Sequence, residues 1–211
     1  MAARIIATVE FEPSHLGVED FRDLQDSGEW PAHWAALLEG WDLRPIQPGS
    51  WFVAAATFDS PRAFELLLRV RARDVGEPDG LPPVREVLPL PGGLAFADGE
   101  DVTVEPGCCC SLSDIADWRD AFHGNGRVAL TVGHGKWSIE STDGVTTVQL
   151  DPERLVDTPR VLSYSHAEFD RALVEAETER DRFVARLERH LCGLTSTSRA
   201  RETARKLALG R

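Results

Sequence analysis

Residues 126–150 read GRVALTVGHGKWSIESTDGVTTVQL, three runs of alternating apolar and polar residues separated by two glycine-bearing turns. Alternation with a period of two is the mark of a half-buried strand, because successive side chains point to opposite faces. A two-residue turn at Asp143-Gly144 sets Ile139 opposite Val148 and Trp137 opposite Leu150. A four-residue turn over Gly133 to Lys136 sets Val132 opposite Trp137 and Leu130 opposite Ile139. Both turns place the apolar residues on one face. The stretch therefore predicts a three-stranded antiparallel meander, and its apolar face must be covered by elements from the rest of the chain.

Working outward, those elements are mostly helices. Downstream, Ser165 and Glu168 form a capping box in SHAE, followed by Phe169, Leu173, Ala176, Arg180, Phe183, Leu187 and His190 at spacings of four and three. This predicts a long helix that ends near Gly193 and packs its stripe on the sheet or on a second copy of itself. A homodimer through that helix is one consequence. The tail, LTSTSRARETARKLALGR, sets Arg199, Arg201, Arg205, Lys206 and Arg211 against the lone acid Glu202, a charge asymmetry that suits an intramolecular clasp or a binding arm but reads first as a solvated basic terminal helix.

Upstream, RIIATVEF is a strand with Ile5, Ala7, Val9 and Phe11 on one face and Ile6, Thr8 and Glu10 on the other. Trp34, Leu37, Leu38 and Trp41 recur at helical spacing after Pro31 and read as core. SWFVAAATF is a buried-type strand, and Ser60-Pro61 opens a helix through RAFELLLRVRA. In GLAFADGEDVTV, Leu94 and Phe96 share a face with Val102 and Val104 only across a loop with an odd number of residues, which predicts a three-residue turn at Gly99. The fold class is thus α+β: an antiparallel sheet with a meander in its C-terminal half, packed by helices, with a long C-terminal helix and a short basic one. Residues 1–193 form one domain, with GEPDGLPP at 76–83 as the alternative boundary between two halves, and 194–211 form the basic helix or tail.

At 211 residues, 42% hydrophobic and 27% charged, the chain has enough apolar material for a sizeable core. A net charge of -12 opposes a nucleic-acid binder that works by neutralising phosphates and favours a basic partner. MAARIIATVEFEP reaches Glu10 and Glu12 too early for the apolar core of a signal peptide, and no run is long enough to cross a bilayer, so the expected location is the cytoplasm. Thiols are kept reduced there, and four cysteines do not read as a disulfide framework.

Chemistry, if any, is expected at VEPGCCCSLSDIADW, where Cys108, Cys109 and Cys110 stand in a row. Adjacent Cα atoms are about 3.8 Å apart, below the roughly 4.4–6.8 Å of ordinary disulfides, so a bond between neighbours is strained. Continued strand geometry puts Cys108 and Cys110 on one side and Cys109 on the other. A zinc site would need further ligands, and His123, His134 and Cys192 are the candidates, none at a recognised ligand spacing. A reactive thiol is the second option: SLSD opens a helix with a capping box through Asp114, and a helix N-terminus lowers the pKa of a nearby thiol such as Cys110. Asp114 and Asp117 oppose that thiolate. The remaining reading is a packed strand-to-helix corner under Trp118. GHGKW lacks the glycine spacing and the hydroxyl residue of a phosphate loop, and the chain has no G-x-S-x-G, H-E-x-x-H or G-x-G-x-x-G motif.

VTVEPGCCCSLSDIADW followed by VGHGKWSIE resembles a loose group of uncharacterised, mostly actinobacterial proteins, in which a strand leads to a Cys-Cys-Cys run, a Trp-bearing helix and a Gly-His turn. The resemblance covers about residues 101–139 and departs at Ser111, where the group has Gly, and at Gly135, where it has Asp. It carries over no catalytic role. It singles out Cys108, Cys109, Cys110, Trp118 and His134 as a set and implies an accessory role, such as an immunity protein that neutralises a toxin. The functional expectation is a non-enzymatic cytoplasmic protein that binds a basic protein partner without a cofactor, with Trp118, Arg199, Arg201 and Arg205 as interaction candidates. The alternative is a thiol- or zinc-dependent enzyme or sensor centred on the cysteine run.

Overall fold

The computed structural model describes residues 3–19, 21–74, 83–98, 101–106, 110–124, 127–132, 135–151 and 160–210. Its α+β architecture contains two antiparallel sheets. Strands β1 (Ala3–Glu10), β2 (Phe52–Ala54), β3 (Gly92–Asp98) and β4 (Asp101–Val104) form the first, in the order β2-β1-β3-β4. Strands β5 (Arg127–Val132), β6 (Gly135–Thr142), β7 (Val145–Asp151) and β8 (Arg160–Ser165) form the second in sequence order. Helices α1 (Phe21–Asp26), α2 (Trp30–Glu39), α3 (Pro61–Asp74) and α4 (Ile115–His123) connect them, and α5 (His166–Cys192) and α6 (Thr197–Leu209) close the chain. No helix among the described residues is long and apolar enough to cross a membrane.

The meander is present with one added strand and one altered turn. Thr142↔Val145 pairing across Asp143 (φ 53°) and Gly144 (φ 78°) gives the two-residue turn, with Ile139 opposite Val148 and Trp137 opposite Leu150. At the other turn, Val132 pairs with Gly135 and Leu130 with Trp137, two residues away from the four-residue turn inferred from sequence. A shift of two conserves the face, so the apolar side of the strand is unchanged. The fourth strand, β8, was not anticipated: RVLSYS is short, with serine at alternate positions, but it pairs along its length with β7. In the first sheet the extra residue expected in the Gly99 turn is placed within β4 instead. Asp98 pairs with Asp101, Ala97 with Val102 and Phe96 with Val104, the register slipping between Phe96 and Ala97 as at a β-bulge.

One buried cluster runs from Ile5 to Ala208. The stripe of α5 supplies Phe169, Leu173, Ala176, Phe183 and Leu187, all buried, and α5 lies across β1. That face is therefore consumed within the chain, against the sheet, rather than left to a second copy. The Ser165–Glu168 capping box closes its N-terminus, and His190 stacks on Phe64 at 5.4 Å, its pKa lowered by burial. The basic terminal helix is not a solvated tail. Ala200, Ala204, Leu207 and Ala208 of α6 are buried, and Leu90 N–H donates to the Leu207 carbonyl at 2.7 Å. Trp30 and Trp34 stack at 5.1 Å in the core, whereas Trp41 stays half-exposed.

The first sheet is covered on both faces. Ile5, Ala7 and Val9 join the main core, and Ile6, Ala95 and Ala97 form a second small cluster with Ile46 and Ala54. Residues 44–50 cross this second face, held by Ile46 N–H to the Phe52 carbonyl at 2.9 Å and by a Pro45–Val53 bridge. Thr8 and Glu10, which alternation alone would leave to solvent, are buried as a result.

Candidate functional site

The cysteine corner is built where β3 approaches β1 and the segment leading to α4. Gly92 N–H donates to the Cys110 carbonyl at 2.9 Å, and Pro91 bridges to Ser111. A Cβ on Gly92, where φ is +151°, would fall 2.0 Å from the Thr8 carbonyl oxygen, so only glycine permits this approach. Cys110 is 3% exposed and packs in the same cluster as Leu112, Ile115 and Trp118. Ser111 and Asp114 form a reciprocal capping box, with Asp114 Oδ2 accepting from Ser111 N–H at 2.7 Å. Ser111 Oγ takes the Ser113 N–H at 3.3 Å, and the Asp114 carboxylate on the N–H that follows Cys110 places a negative charge that opposes a thiolate there.

The candidate residues do not all meet. Cys108, Cys109 and His134 lie outside the described residues. His123 is exposed at the far end of α4, its ring 5.0 Å from Phe122. At 1.5 Å per residue, α4 alone sets His123 about 12 Å along the axis from the Cys110 end. Cys192, a candidate fourth ligand, is exposed at the end of α5. No three His, Cys, Asp or Glu side chains gather as a metal-ligand group among the described residues. Trp118 is 2% exposed with its ring 5.0 Å from Phe96, a core side chain rather than a contact surface. Arg199, Arg201 and Arg205 are exposed on α6, and Arg201 pairs with Glu188 at 3.0 Å.

A titratable group that sequence reasoning passed over lies on the second face of the first sheet. Glu10 is buried, and its pKa is pushed up to about 7, first by burial and then by the charges of Glu12 and Glu105. Gln47, from the crossing segment 44–50, donates its side-chain amide to Glu105 Oε1 at 2.9 Å. The signal available in sequence was the alternation itself, which puts Glu10 in line with Ile6 and Thr8. Nothing in it says that a loop covers that line.

Comparison with protein-family models, with curated proteins and with solved structures found no match.

Proposed function

We propose that this chain is a non-enzymatic, protein-binding accessory protein whose acidic surface engages a basic partner, in the manner of an immunity protein that neutralises a toxin. One observation carries the reading: Asp23 and Asp26 of α1, with Glu19 and Glu29 beside it, are exposed and have no ion-pair or hydrogen-bonded side-chain partner among the described residues. The stretch EDFRDLQDSGE, residues 19–29, contains a single cation, Arg22. α1 buries none of its residues. A short, solvated helix with unpaired carboxylates concentrates negative potential on one face, steers a cationic protein towards it and can imitate phosphate to a basic nuclease.

The test is affinity capture from the native host with the wild-type chain and with a D23N/D26N/E29Q variant, followed by reconstitution from purified components. The expected result is a basic protein whose affinity falls on the order of ten-fold in the variant and falls again with added salt. Retention of the same proteins by both baits, or turnover of a substrate by the purified chain alone, overturns the proposal.

A further inference from the structure

Three arginines of α3 recur with Leu66 at spacings of four, three and four, as Arg62, Leu66, Arg69 and Arg73, which sets them along one stripe of the helix. Opposite that stripe stand the turn Pro13–Leu16 and Trp41, just past the end of α2. Between them lies an open cleft of about 550 Å³ lined by His15, Leu16, Trp41, Leu66, Arg69 and Arg73. Leu66 is buried and forms an apolar floor, and the Arg62 guanidinium lies 5.9 Å from the centre of the Trp41 ring.

The charge balance of this cleft runs against that of the molecule. Elsewhere Arg71, Arg85, Arg119, Arg180, Arg182 and Arg201 each hold a carboxylate. Arg62, Arg69 and Arg73 hold none among the described residues, and Arg73 donates only to the neutral Ser14 carbonyl, at 3.2 Å. The acid next to Arg73 is engaged otherwise: Asp74 is taken by Arg71 at 2.6 Å and faces His15 at 3.6 Å. With a screening length of about 8 Å at physiological salt, the remote acids of the chain are largely silenced at this site while the adjacent guanidiniums are not.

We propose that this cleft binds a small organic anion with a flat ring, its phosphate or carboxylate held by Arg69 and Arg73 and its ring laid against Trp41 over Leu66. Guanidinium forks match both oxyanions, the indole and leucine supply the apolar wall, and the cleft falls within the roughly 300–1,000 Å³ of ordinary ligand sites. The site is independent of the acidic face on α1 and stands if that reading fails.

Titration calorimetry of the full chain with AMP, indole-3-acetate and inorganic phosphate, at low and physiological salt, tests it, with the AMP and indole-3-acetate arms separating a phosphate from a carboxylate ligand. The expected result is saturable binding of at least one aromatic anion, weakened by salt and weakened ten-fold or more in both R69Q and W41L, with thermal melts of the variants close to wild type. Because Arg69 and Trp41 are not buried, R62Q/R69Q serves as a second variant should W41L melt early. Absence of binding by every probe, or equal binding by wild type and R62Q/R69Q, overturns the proposal. So do inorganic phosphate binding as tightly as AMP and a polyglutamate peptide binding more tightly than either aromatic probe.

Discussion

Replacing Glu10 with Gln should stabilise the protein above neutral pH and leave it nearly unchanged in mild acid. The carboxyl is buried under the 44–50 crossing beside Glu12 and Glu105, which lifts its pKa from 4.5 to about 7. A raised folded-state pKa means that the native protein keeps a proton that the unfolded chain has already released. The associated stability is complete below about pH 4.5 and is lost as pH rises through 7. At 1.36 kcal/mol per unit, the shift sets a ceiling of about 3 kcal/mol, and solvent near the end of β1 brings the expected effect to about 1–2 kcal/mol. Glutamine has nearly the shape of the protonated acid and cannot ionise, so E10Q removes the penalty. For a chain of this size that is a rise of roughly 3–6 °C in melting temperature near pH 8. Melting curves followed by circular dichroism from about pH 5 to 8 should converge at the acid end and separate at the alkaline end. Parallel curves, or an E10Q protein less stable than wild type near pH 8, would show that Glu10 is either ionised without cost or dependent on its negative charge.

Other consequences follow from the packing. Gly92→Ala forces a Cβ into the Thr8 carbonyl and should cost about 3 kcal/mol or more in denaturant unfolding, whereas Gly144→Ala, which meets only open space, should cost no more than its backbone strain of about 1–2 kcal/mol. Leu207→Ala removes a buried side chain of α6 and should cost about 2–4 kcal/mol, so wild-type stability in that variant would mean that α6 does not belong to the core. In a C108S/C109S/C192S background Cys110 should react with a thiol reagent at neutral pH only when the protein unfolds. Rapid labelling, or stoichiometric zinc in the reduced wild-type protein, would revive the thiol or metal reading that His123 alone does not support.

The parts of the fold legible in the sequence are those carried by local periodicity. Alternation identified β1, β6 and β7, helical spacing identified the stripe of α5, and the Ser165 and Ser111 capping boxes stand where their residue types predict. The misread turn between β5 and β6 kept the apolar face right, because a register error of two residues is invisible to a pattern of period two, whereas the slip within β4 sets Val102 opposite Ala97, on the other face from Phe96 and Val104. Period, however, sorts residues onto faces without saying what covers each face. Ile6, Thr8 and Glu10 were placed on one side correctly, but their burial depends on the crossing by Pro45, Ile46 and Gln47, far away in sequence.

The same limit explains why the most conspicuous motif and the candidate sites part company. A run of three cysteines attracts notice because it is contiguous, yet its described member, Cys110, packs in the corner against the close approach of Gly92 and Gly93. Arg62, Arg69 and Arg73 share a stripe that any helical projection displays, and a charged stripe ordinarily means only a solvated face. It becomes a cleft because Trp41 arrives from the end of α2 and His15 from the turn after β1, and because Asp74, the carboxylate next to Arg73, is committed to Arg71 and His15. Glu10 likewise acquires its raised proton affinity first from burial in the fold and then from the charges of Glu12 and Glu105, the last reached through the fold rather than along the chain. In this protein the candidate binding groups are ordinary residues made unusual by what the topology sets beside them, so charge pairing across elements finds them where motif spacing does not.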